Sequence, residues 1–267
     1  MAAILCPRCR KLISSDEAVC PFCGLRRPGS RSFARVLRGW AEAADFSRWI
    51  VYVCAGVYVA ALLSDPQQVL VPGGFMGVLA PTQRAAVRFG ATGTFPVLRL
   101  GYWWTLVTAI YLHGGLLHIL FNMMWVRQLG PVVERAFGPF RLFVIFTVAG
   151  VCGFLLSVRM GHGMTLGASG AIFGLLAAAI EYFRRTGAQL WTRQFLQWAL
   201  IMFVFGLFFP GVDNWAHAGG FVGGYGTALV LGRHRGAEGL WSYAAAGACG
   251  MATVGAFVLQ ALQALGG

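Results

Sequence analysis

Charge is what this chain has least of. Only 11% of its 267 residues are Asp, Glu, Lys or Arg, and nine of them are acidic, where a soluble globular domain carries about 25%. With 58% hydrophobic residues and a mean hydropathy of +0.68, an ordinary soluble domain is excluded and a polytopic all-α membrane protein is expected. A secretory signal peptide is also missing from the start, since Cys6 and Arg8 interrupt the chain before an apolar core can form. The net charge of +12 raises nucleic acid as a partner, but the distribution of the arginines argues against it.

What is present begins with cysteine. Cys6-Pro7-Arg8-Cys9 and Cys20-Pro21-Phe22-Cys23-Gly24 are two CxxC knuckles ten residues apart. They offer four thiolates, the number that a tetrahedral structural zinc needs. A pair of disulfides is the alternative, and it requires an oxidising compartment. Residues 1–28 therefore read as a small zinc-ribbon-like segment whose folding is coupled to metal binding. The other three, Cys54, Cys152 and Cys249, fall in apolar segments and read as buried, inert thiols.

Residues 29–45 form a basic linker containing Arg31, Arg35 and Arg38. The stretch Phe33–Phe46, which takes in most of it, reads either as an amphipathic helix on the membrane face or as a solvated connector. Seven apolar runs follow, near Phe46–Leu63, Gly115–Leu129, Leu142–Val158, Leu166–Tyr182, Phe195–Phe209, Asn214–Leu231 and Leu240–Leu265. Each is long enough to span a bilayer with modest adjustment. The mixed segment Ser64–Gly114, with its prolines, glycines and Trp103-Trp104, suits a loop seated in the outer interface.

The arginines set the orientation. With the N-terminus inside, all but Arg84, Arg88, Arg99 and Arg159 of the 21 basic residues lie on the inner side, as the positive-inside rule requires. The charge excess is then a topology signal, and no nucleic acid is expected. In this orientation the second, fourth and sixth spans all begin at the outer face. His118 and Asn122, four residues apart and on one helical face, open the second. Ser169 opens the fourth and His217 the sixth. Polar groups at that depth are costly unless they serve one another. Gly170-x-x-x-Gly174-x-x-x-Ala178 and Gly220-x-x-x-Gly224-x-x-x-Ala228 are small-residue stripes that let two helix backbones approach closely. If they face each other, Ser169 and His217 share one end of the contact.

These motifs resemble the rhomboid family of intramembrane serine proteases over residues 46–265. The match rests on His113, His118-x-x-x-Asn122, Glu134-x-x-x-Gly138, Gly167-x-Ser169-Gly170 and Ala216-His217-x-x-Gly220-x-x-x-Gly224. The resemblance implies a six-helix bundle with a seventh C-terminal span, Ser169 as nucleophile and His217 as general base. It implies an oxyanion hole from Asn122, His118 and the Ser169 N–H, an aromatic packing role for Phe173, and transmembrane protein substrates cut near the outer face. It implies no cofactor for catalysis, so zinc in the ribbon is structural. Asp213, four residues before His217, is a tempting third member to which the family gives no such role. Thr105 stands after Trp104 where arginine is frequent, which puts in question how the first loop is anchored. Glu134 reads as structural, and His162 as solvated.

Two other readings compete with the active protease. A catalytically silent, rhomboid-like escort of membrane proteins need keep neither Ser169 nor His217. A small transporter would carry ionisable groups along the full depth rather than at the outer ends. The expected location is a bacterial inner membrane with the N-terminus cytoplasmic and the lipid bilayer as constant partner. There the ribbon has the choice of binding a cytoplasmic partner, responding to metal, or only capping the N-terminus.

Overall fold

The computed structural model describes residues 3–6, 8–26, 45–66, 78–209, 211–232 and 238–266. The linker 29–45, apart from Asp45, lies outside the described residues, as do nearly all of the expected amphipathic stretch 33–46, residues 67–77 and the pair Arg233 and Arg235. Two units divide the chain, Met1–Ala44 and Asp45–Gly267.

In the first unit, strands β1 (Ala3–Leu5) and β2 (Leu12–Ser14) pair antiparallel, with Ile4 opposite Ile13 and Leu5 opposite Leu12. The two-residue period turns Ile4 and Ile13 toward the cysteines and leaves Leu5 and Leu12 exposed. Cys6, Ile13 and Cys20 are its buried core.

Among the described residues, the second unit contains seven long helices: α1 (Phe46–Leu63), α2 (Leu116–Phe137), α3 (Pro139–Arg159), α4 (Ser169–Arg185), α5 (Gln189–Phe208), α6 (Asn214–Gly232) and α7 (Leu240–Gly266). They follow the seven expected apolar runs. α2 continues to Phe137 rather than stopping at Leu129, and α5 starts at Gln189 rather than Phe195. The α2 extension is polar because its end does structural work. Glu134 accepts the backbone N–H of Ser47 at 3.0 Å, and Asp45 caps the same helix start through the Arg48 N–H. This satisfies two of the donors that a helix N-terminus leaves orphaned.

By length and composition, α1, α3, α5 and α7 are long and apolar enough to cross a membrane. A fifth span is counted if Thr105–Tyr111 and α2, bent by 90°, are taken as one. The helices α4 and α6 miss that standard, and their position explains why. Every residue of α4 from Gly170 to Glu181 is buried within the protein, so it is shielded from lipid by its neighbours rather than by its own side chains. α6 packs against both α3 and α4 through glycines. A Cβ on Gly220 would stand 2.6 Å from the Gly170 carbonyl carbon, and one on Gly224 2.6 Å from that of Gly174. A Cβ on Gly219 would stand 2.6 Å from the Cys152 carbonyl oxygen and 3.0 Å from Gly153 Cα. The expected stripe faces α4, and a second one, Gly219 and Gly223, faces α3. Both close approaches depend on glycine, which lowers the hydropathy of α6 for the sake of packing.

Candidate active site

Ser169 is the first residue of α4, and Gly167 sets it there. Gly167 has φ +126, a conformation that L side chains rarely adopt. Its N–H donates to the Ala109 carbonyl at 2.8 Å. A Cβ on it would also come within 2.8 Å of His118 Cε1 and Nε2. The turn thus brings the His118 ring against the residues that precede the serine. As the first helical residue, Ser169 has a backbone N–H without an intrahelical partner.

The crossing of α4 and α6 delivers His217 to Ser169. His217 Nε2 and Ser169 Oγ lie 2.9 Å apart. On the other side of the ring, His217 Nδ1 lies 3.0 Å from Asn214 Oδ1. An amide oxygen only accepts, so Nδ1 carries the proton and Nε2 presents its lone pair to the serine hydroxyl. Phe173, one turn below Ser169, stacks on the imidazole with centroids 4.3 Å apart and planes 17° from parallel. His217 is buried and Ser169 half-buried.

Asn214 was missed in the sequence because charge drew attention to its neighbour. Asp213 does not touch the imidazole. It sits just before α6, where an aspartate caps: Oδ1 accepts the Ala216 N–H at 3.0 Å, and Oδ2 accepts the Ser157 hydroxyl. The capping preference of Asp immediately before a helix was the available signal. His162 lies 4.0 Å from the same carboxylate.

His118 and Asn122 share a helix face as their spacing requires, but they are held differently. The Gly114 N–H donates to His118 Nδ1 at 3.2 Å, which places the ring proton on Nε2, the atom near Gly167. Asn122 Nδ2 donates to the His118 carbonyl at 2.7 Å, leaving one amide hydrogen free. Its Oδ1 is buried without a partner. His113, also buried, meets His118 edge-on at 5.2 Å between centroids. Thr105, in place of the frequent arginine, is buried; its hydroxyl donates to the Tyr102 carbonyl at 2.6 Å and lies 2.9 Å from Thr92 Oγ1.

The cysteines form a separate cluster in the first unit. The four Sγ atoms of Cys6, Cys9, Cys20 and Cys23 all lie within 4.8 Å of one another, and no disulfide joins them. Cys6 and Cys23 are 3.6 Å apart, Cys9 and Cys20 3.8 Å. A tetrahedron with zinc–sulfur bonds of about 2.3 Å has sulfurs about 3.8 Å apart, so the residues fit such an ion. The two knuckles are built alike. Arg10 donates to the Cys6 carbonyl at 2.9 Å as Gly24 does to that of Cys20 at 3.0 Å. Cys6 donates to Lys11 at 2.8 Å as Cys20 does to Leu25 at 2.9 Å. Both turns use a left-handed residue, φ 71 at Gly24 and φ 57 at Arg10. The backbone N–H of Cys9, aimed at the Cys6 sulfur, holds that thiol down to about 6.

Comparison with known proteins bears on the family of this chain. The chain is 34% identical over 150 residues to the Rhomboid protease GluP of Bacillus subtilis (strain 168), covering 55% of this chain and 29% of that one. It is 32% identical over 160 residues to RHOMBOID-like protein 1 of Arabidopsis thaliana, covering 58% and 41%. It is 34% identical over 164 residues to Rhomboid-like protease 5 of Toxoplasma gondii, covering 58% and 20%. The chain thus spans half or less of the length of these relatives. Residues 100–234, half of the chain, match the profile of the Rhomboid domain, and that stretch contains Ser169, His217, His118 and Asn122. With a helical bundle of apolar spans around this matched core, the chain belongs to the rhomboid family.

Proposed function

We propose that this protein is an intramembrane serine endopeptidase that cuts transmembrane segments of other membrane proteins near the outer face. The observation that carries this reading is the 2.9 Å contact between Ser169 Oγ and His217 Nε2, with Asn214 fixing the tautomer that makes Nε2 the acceptor. His217 takes the hydroxyl proton as Ser169 attacks the scissile carbonyl, and returns it to the leaving amine. Water then attacks the acyl-enzyme with His217 again as base. The stacked Phe173 ring and the Asn214 amide hold the imidazole through both transfers.

The oxyanion would be received by the Ser169 N–H, His118 Nε2–H and the free amide hydrogen of Asn122. Residues of an outer-face site meet a substrate helix near its outer end, where small or helix-weakening residues make local unwinding cheap. The arginine distribution supports a cytoplasmic N-terminus in a bacterial inner membrane. We assign residues 1–28 to a structural zinc ribbon, 29–45 to a linker and 46–265 to the catalytic domain.

The test is cleavage of a reporter transmembrane segment by purified protein. Wild type cleaves, while Ser169→Ala and His217→Ala each lose cleavage and the double variant is no worse than either. Appreciable turnover by either single variant removes the dyad.

A further inference from the structure

The helix α7 lies beyond the matched Rhomboid domain, which ends at residue 234. Its buried residues are Ser242, Ala246, Ala256 and Gln260. A glutamine 3% exposed on a largely lipid-facing helix is costly unless its amide is bonded, and Gln260 makes three hydrogen bonds. Oε1 accepts the Trp104 indole N–H at 2.8 Å, and Nε2 donates to the carbonyls of Val87 and Arg88, both at 3.1 Å. Those carbonyls belong to the last turn of the short helix Gln83–Phe89, where the C-cap Gly90 N–H also reaches Val87 at 3.1 Å and the Arg88 carbonyl lies beyond the helix's own i to i+4 bonds. Three residues on, Gln263 donates to the Tyr102 hydroxyl at 3.2 Å, and Tyr102 stacks on Trp104.

The segment held by Gln260 is itself tied to the residues before Ser169. Thr92 and Thr165 exchange backbone hydrogen bonds at 3.0 and 2.8 Å. The Thr94 N–H and hydroxyl both reach the His162 carbonyl, at 3.0 and 2.9 Å. Thr105 braces Thr92, and Gly167 is bonded to Ala109. The path from α7 to the Ser169 turn is therefore continuous: Gln260, the end of helix Gln83–Phe89, the 92–94 segment, the 162–167 loop.

We propose that Gln260 is a positioning residue of the protease site: α7 clamps the first loop through this amide, and the loop fixes the backbone that presents Ser169. The inference rests on Ser169 and His217 being the dyad. It predicts end-specific behaviour along α7, because Ser242, near the other end, accepts from Arg141 Nε at 2.9 Å and touches none of this path.

The test uses the full chain in nanodiscs, with kcat and KM for a reporter transmembrane segment, amide exchange at Thr92, Thr165 and Gly167, and labelling of Ser169 by a fluorophosphonate. Gln260→Leu should lower kcat by roughly tenfold to hundredfold, as small displacements of a reacting group do, with little change in KM. It should also speed exchange at Thr92 and Thr165. Trp104→Phe, which keeps the ring and loses the donor, should act in the same direction, and the double variant should fall short of additivity. Should Gln260→Leu fail to fold, Trp104→Phe carries the test alone. Ser242→Ala should leave kcat and the three amides unchanged. Normal kcat in Gln260→Leu, unchanged exchange at Thr92 and Thr165, or an equal loss of kcat in Ser242→Ala would each overturn the clamp. Failure of the dyad reads out separately: wild type then neither cleaves nor labels, and exchange alone decides whether Gln260 holds the loop.

Discussion

The cysteine cluster and the Ser169–His217 pair both bring reactive side chains within bonding distance, by opposite means. The four cysteines fall between positions 6 and 23, and each knuckle closes on its own backbone hydrogen bonds. Among the described residues little else is buried in that unit, so side chains that are present, the four thiols above all, supply its order. Ser169 and His217 are separated by 48 residues, and no local bond relates them. They meet because side chains are absent along Gly170, Gly174, Gly220 and Gly224. One site is lost when a ligand atom is removed, the other when a methyl group is added.

The largest expected effect tests the second half of that contrast. Gly220→Leu places carbons where the Gly170 backbone stands and should abolish cleavage, since overpacking forces the helices apart and separates the dyad. Gly226→Leu, on the same helix but facing open space, should cleave at nearly the wild-type rate. Equal behaviour of the two would break the argument from close approach.

Next is Asn122, which contributes a donor rather than a contact surface. Asn122→Ala should lower kcat by about 10²–10³, the usual loss for one oxyanion donor, in a protein whose thermal unfolding is little altered. A normal rate removes it from the site.

Asn214→Ala should cost less. One neutral hydrogen bond nets about 1 kcal/mol, so a fall in kcat on the order of tenfold is expected, and Asn214→Gln should fall between. A loss as deep as that of His217→Ala would mean that the amide does more than orient the ring.

The smallest effect on turnover belongs to the ribbon. Cys6→Ser/Cys9→Ser protein should lose its zinc by metal analysis, yet cleave a model substrate in detergent as wild type does. All residues of the site and of its bracing path lie between Gln83 and Gln260, outside the ribbon's residues 1–28. Zinc retained by that variant, or cleavage lost in a folded core, would join the two sites that the comparison keeps apart.

Several of these elements were legible in the residues alone. The ends of α1, α6 and α7 fall within a residue of the apolar runs, because hydrophobic length is a local property. α2 was read short because Arg127, Glu134 and Arg135 look like the end of a span. Their reason for being helical, the capping of α1 by Glu134, involves a segment 87 residues away. Thr105 raised a question about loop anchoring that only its contacts with Thr92 and Tyr102 answered.

By itself the sequence determined the seven apolar helical runs, the two thiolate knuckles and the face shared by His118 and Asn122. Each of these depends on composition, helical period or short spacing. Tertiary structure decided which neighbour serves His217. Asp213 and Asn214 are adjacent, and one residue along a helix start turns a side chain by about 100°, so one caps α6 and the other holds the imidazole. Tertiary structure also decided that Gln260, unremarkable in an apolar run, faces the first loop rather than lipid. No local pattern tells the two faces of α7 apart, since only the packed loop offers an indole donor and the carbonyls of a helix end.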